Sequence, residues 1–478
     1  MSNSSKLSAR DRIATLLDDN SFVEIGALVT KRNTDFNLQT VDAPSDGVVT
    51  GYGVINGAPV YVYSQDAAVL AGTIGEMHAK KIANIYDLAM KCGAPVIGLI
   101  DCAGLRLQEA TDALEGLGEI MNRQSLASGL IPQIAVVFGG CGGGLAVSAA
   151  MCDFVFATEN GKMFINSPDA VEGNNVNKCD SASAAFKAEC GEIDYVGKDD
   201  VDVLNKVREL VSLIPSCNED EAVASECGDD LNRETPEISS FIADGAMVAK
   251  AIGDDGEFFE LKKSFGKNMV TGFIKLDGAT VGVVANRSVV YDESSVTPKI
   301  VEKLSAVLTV DGARKAFEFV NFCDAFNIPV LTLTNVEGFC NCMCGEKKLA
   351  TATAKLANAF ATATVPKVNL ITGKAIGSAY TIMNSKAMGC DFALALEGAE
   401  IGPMNADLAA QIVAADGSTD KASAEAVIKA QISAEAAAKR GYIDNIIPAE
   451  AARKNVVYAF EMLYLKDEGR PDKKHGTI

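Results

Sequence analysis

Glycine-rich turns are the residues here best placed for chemistry. FGGCGGGLAVSAA (Phe138 to Ala150) reads as strand, glycine turn, helix. Without a Cβ in the way, backbone N–H groups can point at a ligand, and the helix that follows aims its positive end at the same point. Such a turn can hold phosphate or an oxyanion. It is not a phosphate-binding loop of the GK[ST] type, and it lacks the spacing and acidic ribose partner of a dinucleotide fingerprint. Taken alone, such glycines most often serve close helix–strand packing. Two further turns strengthen the chemical reading. GKAIGSAY (Gly373 to Tyr380) repeats the arrangement, and DCAGLR (Asp101 to Arg106) also leaves a buried strand for a helix. Donors of this kind form an oxyanion hole, useful where a carbonyl becomes an enolate or a tetrahedral anion; one donor lowers a barrier by ~2.7–4 kcal/mol.

The elements that position these turns come twice. VTGYGVINGAPVYVYSQD (Val49 to Asp66) returns as VTGFIKLDGATVGVVANR (Val270 to Arg287), and GAPVIGLIDCAG (Gly93 to Gly104) as NIPVLTLTNVEG (Asn327 to Gly338). IPQIAVVFGGCGGGLAVSAAMCDFVFA (from Ile131) returns as VPKVNLITGKAIGSAYTIMNSKAMGCDFALA (from Val365). A repeat this long is a domain rather than a solenoid unit. Asn56-Gly57 signals a type I′ hairpin. Helix is expected over 74–91, 105–128 and from 142, with buried strands at APVIGLID, IPQIAVVFG and CDFVFAT. Alternating strands and helices predict α/β layers. The acidic stretch PSCNEDEAVASECGDDLNRETP (Pro215 to Pro236) reads as the linker, so the expected domains are 1–225 and 226–478. Two related halves imply two related sites, and hence two similar reactants.

Composition removes whole classes of function. The chain has 478 residues, 48% of them hydrophobic, and a formal charge of −20, which argues against nucleic acid or an anionic membrane as a general partner. The two histidines, His78 and His475, leave no room for a His triad or a multi-His metal site. The thirteen scattered cysteines suggest reduced thiols and a cytoplasmic setting rather than a disulfide framework. The opening MSNSSKLSARDRIATLL is amphipathic and charged, unlike a secretion signal.

Across about residues 8–460 the chain resembles the carboxyltransferases of biotin-dependent acyl-CoA carboxylases and decarboxylases, of the propionyl-CoA carboxylase beta and methylmalonyl-CoA decarboxylase alpha type. SDGVVTGYGVINGAPVYVYSQD, GEMHAKKI, GAPVIGLIDCAGLRLQE, LASGLIPQIAVVFGGCGGG and INSPDAV carry the likeness in the first half. GAMVAKAIGDDGEFFELKKSFGKNMVTGF, VGVVANRS, VPKVNLITGKAIGSAYTIM and RGYIDNIIP carry it in the second. The resemblance implies two tandem crotonase-like domains, the first for acyl-CoA and the second for carboxybiotin, with the N-half of one subunit facing the C-half of another. Gly143 and Gly144 match the glycine pair that steadies the thioester enolate, and the Ala103-Gly104 turn resembles the other oxyanion wall. Ser378 and Ala379, with Gly377 before them, match the turn that holds the biotin ureido oxygen. Biotin nitrogen would take the α-proton, so neither His nor paired carboxylates are needed. Gly144→Val is then expected to fill the anion site and leave the fold intact. The resemblance further implies biotin on a separate carrier protein, a homo-oligomer (a hexamer as trimer of dimers), and either a biotin carboxylase or a membrane sodium-pump decarboxylase subunit as partner. Membrane attachment would belong to those partners.

The chain departs from the family at Gly373, usually basic, at Thr381, often Asp, and at EGFCNCMCGEK (Glu337 to Lys347), where a Pro-Gly segment and a Gln-Glu pair are usual. Cys340, Cys342 and Cys344 lack a fourth ligand nearby in sequence, so ordinary thiols are expected and no metal. Ala89-Met90-Lys91 copies a biotinylation signal but lies in an amphipathic helix rather than on a hairpin tip, and is rejected. His78 is expected to be structural. Lys80, Lys81 and Arg106 are candidates for CoA phosphate contacts, or charges on a solvated face. Two other readings stand beside the carboxyltransferase: a biotin-independent crotonase-type hydratase or isomerase, and a catalytically degenerate scaffold subunit motivated by the Cys-rich loop.

Overall fold

Asn56 and Gly57 both take positive φ, 49° and 83°, and so do Asp277 and Gly278, 52° and 75°. These values are what a two-residue type I′ hairpin needs, so each half opens on the same device. The computed structural model describes residues 6–34, 38–292, 298–415 and 420–469. It divides into two compact units, Met1–Glu221 and Ala222–Ile478.

In the first unit the strands are β1 (Val23–Ile25), β2 (Val48–Ile55), β3 (Ala58–Gln65), β4 (Val96–Cys102), β5 (Gln133–Gly142), β6 (Phe154–Thr158), β7 (Lys162–Phe164) and β8 (Tyr195–Gly197). They form one sheet in the order β1-β2-β3-β4-β5-β6-β8, with β7 paired to the far end of β5. The first three are antiparallel and β3 through β8 are parallel. Every residue of β4 is buried, as expected for a parallel strand covered on both faces. The covering helices are Glu76–Cys92 and Ala110–Ala127. The first ends at Gly93 in the left-handed region, a regular C-terminal stop. Its inward residues Ile82, Ile85, Tyr86 and Ala89 join Val96, Ile100, Ala135 and Val137 in one core. Each such aliphatic side chain contributes ~1.5–3 kcal/mol on burial.

The second unit repeats the plan with β9 (Phe259–Leu261), β10 (Met269–Leu276), β11 (Ala279–Asn286), β12 (Val289–Asp292), β13 (Lys299–Lys303), β14 (Val330–Val336), β15 (Lys367–Ile376), β16 (Phe392–Leu396), β17 (Glu400–Gly402) and β18 (Asn445–Ile447). The sheet order is β18-β16-β15-β14-β11-β10-β9, with β17 on β15 and a separate β12-β13 ribbon. Registers repeat as well as order. Val96 opposes Gln133 and Cys102 opposes Cys141 in the first unit; Val330 opposes Lys367 and Val336 opposes Ala375 in the second. Both pairs keep one offset of 234 residues and slip at the same place. The helices over 105–128 and from 142 begin later than the sequence suggests, at Ala110 and Gly144. A short 3-10 turn, Leu107–Glu109, precedes the first, and the end of β5 with the Gly143 turn precedes the second.

The stretch from Pro215 to Pro236 contains no helix or strand. It is nonetheless tied down. Val223 accepts the Thr280 N–H, Ser225 donates to the Gly278 carbonyl, and Asp229 pairs with Arg233 and Arg453.

Candidate active site

The parallel strands β4 and β5 end side by side, and their C-terminal turns hold the candidate residues, at the end where open parallel sheets generally bind ligands. Gly143 follows β5 with φ 62° and ψ −132°, a conformation an L side chain disfavours by ~1–3 kcal/mol. Its N–H donates to the Phe164 carbonyl of β7 at 2.8 Å. That bond fixes where the helix Gly144–Ala150 starts. The N–H groups of a first helical turn have no acceptor inside the helix, so the donors that remain here belong to Gly144 and Leu145. Sequence reasoning assigns Gly143 and Gly144 as the pair. In the structure the Gly143 N–H is taken by Phe164, and Leu145 stands beside Gly144 with the next backbone donor.

Gly144 is exposed on its backbone side, yet a Cβ there would sit 2.6 Å from Leu117 Cδ2. The missing side chain therefore clears Leu117 of the helix Ala110–Ala127. The expectation that Gly144→Val spares the fold is corrected accordingly: valine would press on Leu117. At Gly143, by contrast, a Cβ would meet nothing within 4 Å. The other glycines of the run are packing residues, since a Cβ on Gly139 would strike Asp101 and one on Gly142 the Phe164 ring.

The second turn, after β4, places Ala103 and Gly104. Ala103 donates its N–H to the Ala71 carbonyl at 3.1 Å, and Gly104 directs its own at Cys102 Sγ, 3.3 Å away. The Ala103 N–H is thus engaged, and the turn contributes a fixed wall. Arg106 is 1% exposed. Its guanidinium contacts Asp46 Oδ1 at 2.5 Å, Glu109 Oε1 at 2.7 Å and the Thr73 carbonyl at 2.8 Å. A side chain so enclosed cannot reach a CoA phosphate; it ties the turn to the loops before it. The side chain expected to bind cofactor is thus committed to Asp46, Glu109 and Thr73 in this structure. Lys81 is likewise buried on the carbonyls of Ser45 and Val48, and only Lys80, paired with Glu76 at 2.6 Å, lies at the surface.

His78 belongs to the same buried cluster. Its Nδ1 donates to the Asp46 carbonyl at 2.9 Å and its Nε2 faces Gln65 Nε2 at 3.1 Å. Full burial pushes its pKa down to about 3, so the ring is neutral. It is structural, as the sequence suggests. Asp101, at the end of β4, is held by Lys6 at 2.7 Å and Arg12 at 3.1 Å, while Arg12 stacks on Phe138 at 4.2 Å.

In the second unit the equivalent turn follows β15. Gly377 has φ 70°, and the helix Gly377–Ile382 begins there. Ser378 is exposed and Ala379 buried; both lie in the first turn, at the positions of Gly144 and Leu145. Gly338 matches Gly104, both with positive φ. Asn335 replaces Asp101: it accepts the Lys374 N–H at 3.0 Å and donates to the Ile242 carbonyl at 2.9 Å. Gly373 is small because a Cβ would lie 2.8 Å from Asn335 Oδ1. Beside the turn lies a cavity of about 430 Å³, lined by Phe339, Cys340, Leu349, Thr353, Ala357 and Ile382 among others. Its size and mostly apolar walls fit a small heterobicycle such as the biotin ring. Among the described residues no cluster of three or more His, Cys, Asp or Glu is arranged to hold a metal.

Two tandem crotonase-like units, each ending its parallel strands in a glycine turn that leads into a short helix, define the class of fold. The carboxyl transferase domain family matches residues 2–478. The propionyl-CoA carboxylase beta chain of Roseobacter denitrificans is 39% identical over 99% of this chain and 94% of its own. The methylmalonyl-CoA decarboxylase subunit alpha of Propionigenium modestum is 38% identical over 99% and 93%. The solved transcarboxylase 12S core, a hexamer with methylmalonyl-coenzyme A and methylmalonic acid bound, superposes with a TM-score of 0.92 at 34% identity, covering 98% of this chain and 92% of that one. The chain belongs to the carboxyl transferase domain family. It is a biotin-dependent acyl-CoA carboxyltransferase of the type found in those carboxylases and decarboxylases.

Proposed function

We propose that the N-terminal domain, residues 1–225 by the sequence reading, takes the acyl-CoA and the C-terminal domain, residues 226–478, takes biotin, and that the acyl group is methylmalonyl or propionyl. The repeated turn carries this reading: one fold, used twice, offers Gly144 and Leu145 in one unit and Ser378 and Ala379 in the other. The acyl groups follow the relatives named above.

The first-unit N–H pair would hold the thioester oxygen as it gains charge, which makes the α-carbon a carbanion equivalent. Gly143 sets the angle of that pair and the Ala103-Gly104 turn closes the other side. Phe339, Leu349 and Ile382 would exclude water from the cavity, while Ser378 and Ala379 hold the ureido oxygen. Biotin, when bound, supplies the transferable carboxyl group and the ring nitrogen that exchanges the proton. The chain's own side chains then need no general base, in keeping with a neutral, buried His78.

The carrier would be a separate biotinyl protein, the assembly a homo-hexamer as in the 12S core, and the companion a biotin carboxylase or a sodium-pump decarboxylase subunit. Among the described residues no helix is long and apolar enough to cross a membrane. Any membrane association would come through that companion, around a cytoplasmic carboxyltransferase. To test the function, purified chain is incubated with carboxyl-labelled methylmalonyl-CoA and free biotin. The account expects label on biotin and complete block by avidin; propionyl-CoA formation unaffected by avidin would point to a biotin-independent crotonase chemistry.

A further inference from the structure

Three thiols stand in contact in the loop after β14. Cys342 Sγ lies 3.3 Å from Cys340 Sγ and 3.1 Å from Cys344 Sγ. Cys342 also caps the short turn Met343–Glu346, accepting the Gly345 N–H at 3.2 Å. Cys344 is exposed, whereas Cys340 and Cys342 are half-buried. Cys340 lines the 430 Å³ cavity.

We propose that Cys342 and Cys344 form a redox-modification site: Cys342 is the nucleophile toward a low-molecular-weight disulfide, and Cys344 resolves the adduct. The Cys342 thiolate attacks one sulfur of the small disulfide, forming a mixed disulfide and releasing one thiolate. Cys344 gives its proton to solvent, and its sulfur displaces the second small thiolate from Cys342. The protein loses two hydrogens, and the small disulfide is reduced to two thiols.

The local chemistry favours this order. Hydrogen bonds from the neighbouring thiols and from Gly345 hold the Cys342 pKa below the usual range, which favours its thiolate. Against a lowering hydrogen bond from the Cys342 backbone, the Cys342 thiol and burial leave Cys340 shifted the other way, and Cys340 donates to Cys342. A disulfide between residues two apart closes a small, strained ring, and strained disulfides are readily reduced. The modification is therefore reversible. Oxidation also takes Cys342 Sγ away from Gly345 and Cys340, so the turn that presents Phe339, Cys340 and Glu346 to the cavity loses its cap.

The test treats the purified full chain with oxidised glutathione and reads the peptide containing residues 340–344 by mass spectrometry. The wild-type peptide is expected to lose two hydrogens and to regain them with dithiothreitol. Cys344→Ser should trap one glutathione on Cys342, and Cys342→Ser should leave the remaining two thiols unoxidised over the same exposure. Oxidation of Cys342→Ser at the wild-type rate would overturn the proposal. So would glutathione accumulating on exposed Cys92 and Cys190 while Cys342 stays a thiol. This readout is independent of which reactant the second unit binds.

Discussion

At the scale of single residues, Gly143 and Gly144 answer to different forces. Gly143→Ala forces a side chain into a positive-φ position, so a loss of ~1–3 kcal/mol is expected in urea unfolding. The displaced N–H pair should lower kcat by ~10²–10³-fold. Gly144→Ala instead meets Leu117 at 2.6 Å. Pairing it with Leu117→Ala should bring a stability loss smaller than the sum of the two single changes, as steric partners do. Simple additivity would mean that the contact is not the constraint. Ser378→Pro removes one N–H from a first helical turn, where proline is tolerated. Its expected signature is a ~10²–10³-fold fall in kcat with unfolding changed little. His78 tests burial directly. Its folded pKa is depressed from 6.5 to about 3, so the unfolded chain binds the proton first and stability falls as pH drops below about 6.5. His78→Gln should remove about 2 kcal/mol of the stability lost between about pH 7.5 and about pH 5. At this scale the sequence picks out candidate turns but not what each atom in them does. A run of glycines looks alike whether each one clears Asp101, Phe164 or Leu117, or bends the chain, and only packing separates them.

Among the elements, the Asp46–Arg106–Glu109 cluster is the clamp on the turn after β4. Removing one member of a fully buried set leaves charges unpaired, which costs ~3–5 kcal/mol. Arg106→Met should lower stability by that amount in urea unfolding, with KM for acyl-CoA unchanged in the protein that remains folded. A raised KM with unchanged stability would restore the phosphate-binding role that the burial of Arg106 denies. Local pattern predicted these elements well where it was strong. Asn56-Gly57 gave the hairpin, and the apolar runs gave β4, β5 and β6. It was weakest where long-range contacts decide. The helix after β4 starts at Ala110 rather than at residue 105, because Arg106 and Glu109 are drawn into the buried cluster. Arg106 itself reads as a surface cation until Asp46, sixty residues earlier, is seen beside it.

For the whole molecule, the duplication was open to reading because related segments recur in one order. The shared offset of 234 residues between the two β-strand registers carries that duplication to the level of individual backbone pairs. What sequence could not show is how the copies diverged. Asp101 with its Lys6 and Arg12 partners became Asn335 with backbone partners, and Arg106 became Cys340 on a cavity wall. One copy of the turn is braced by buried ion pairs; the other opens beside an apolar cavity. That asymmetry suits one site for a thioester and another for an uncharged bicycle. The most direct measurement is a crystal structure of the chain with an acyl-CoA and biotin bound together. The account predicts the thioester oxygen within about 3.2 Å of the Gly144 and Leu145 nitrogens, and the ureido oxygen equally near those of Ser378 and Ala379. Either oxygen bound away from its turn would contradict it.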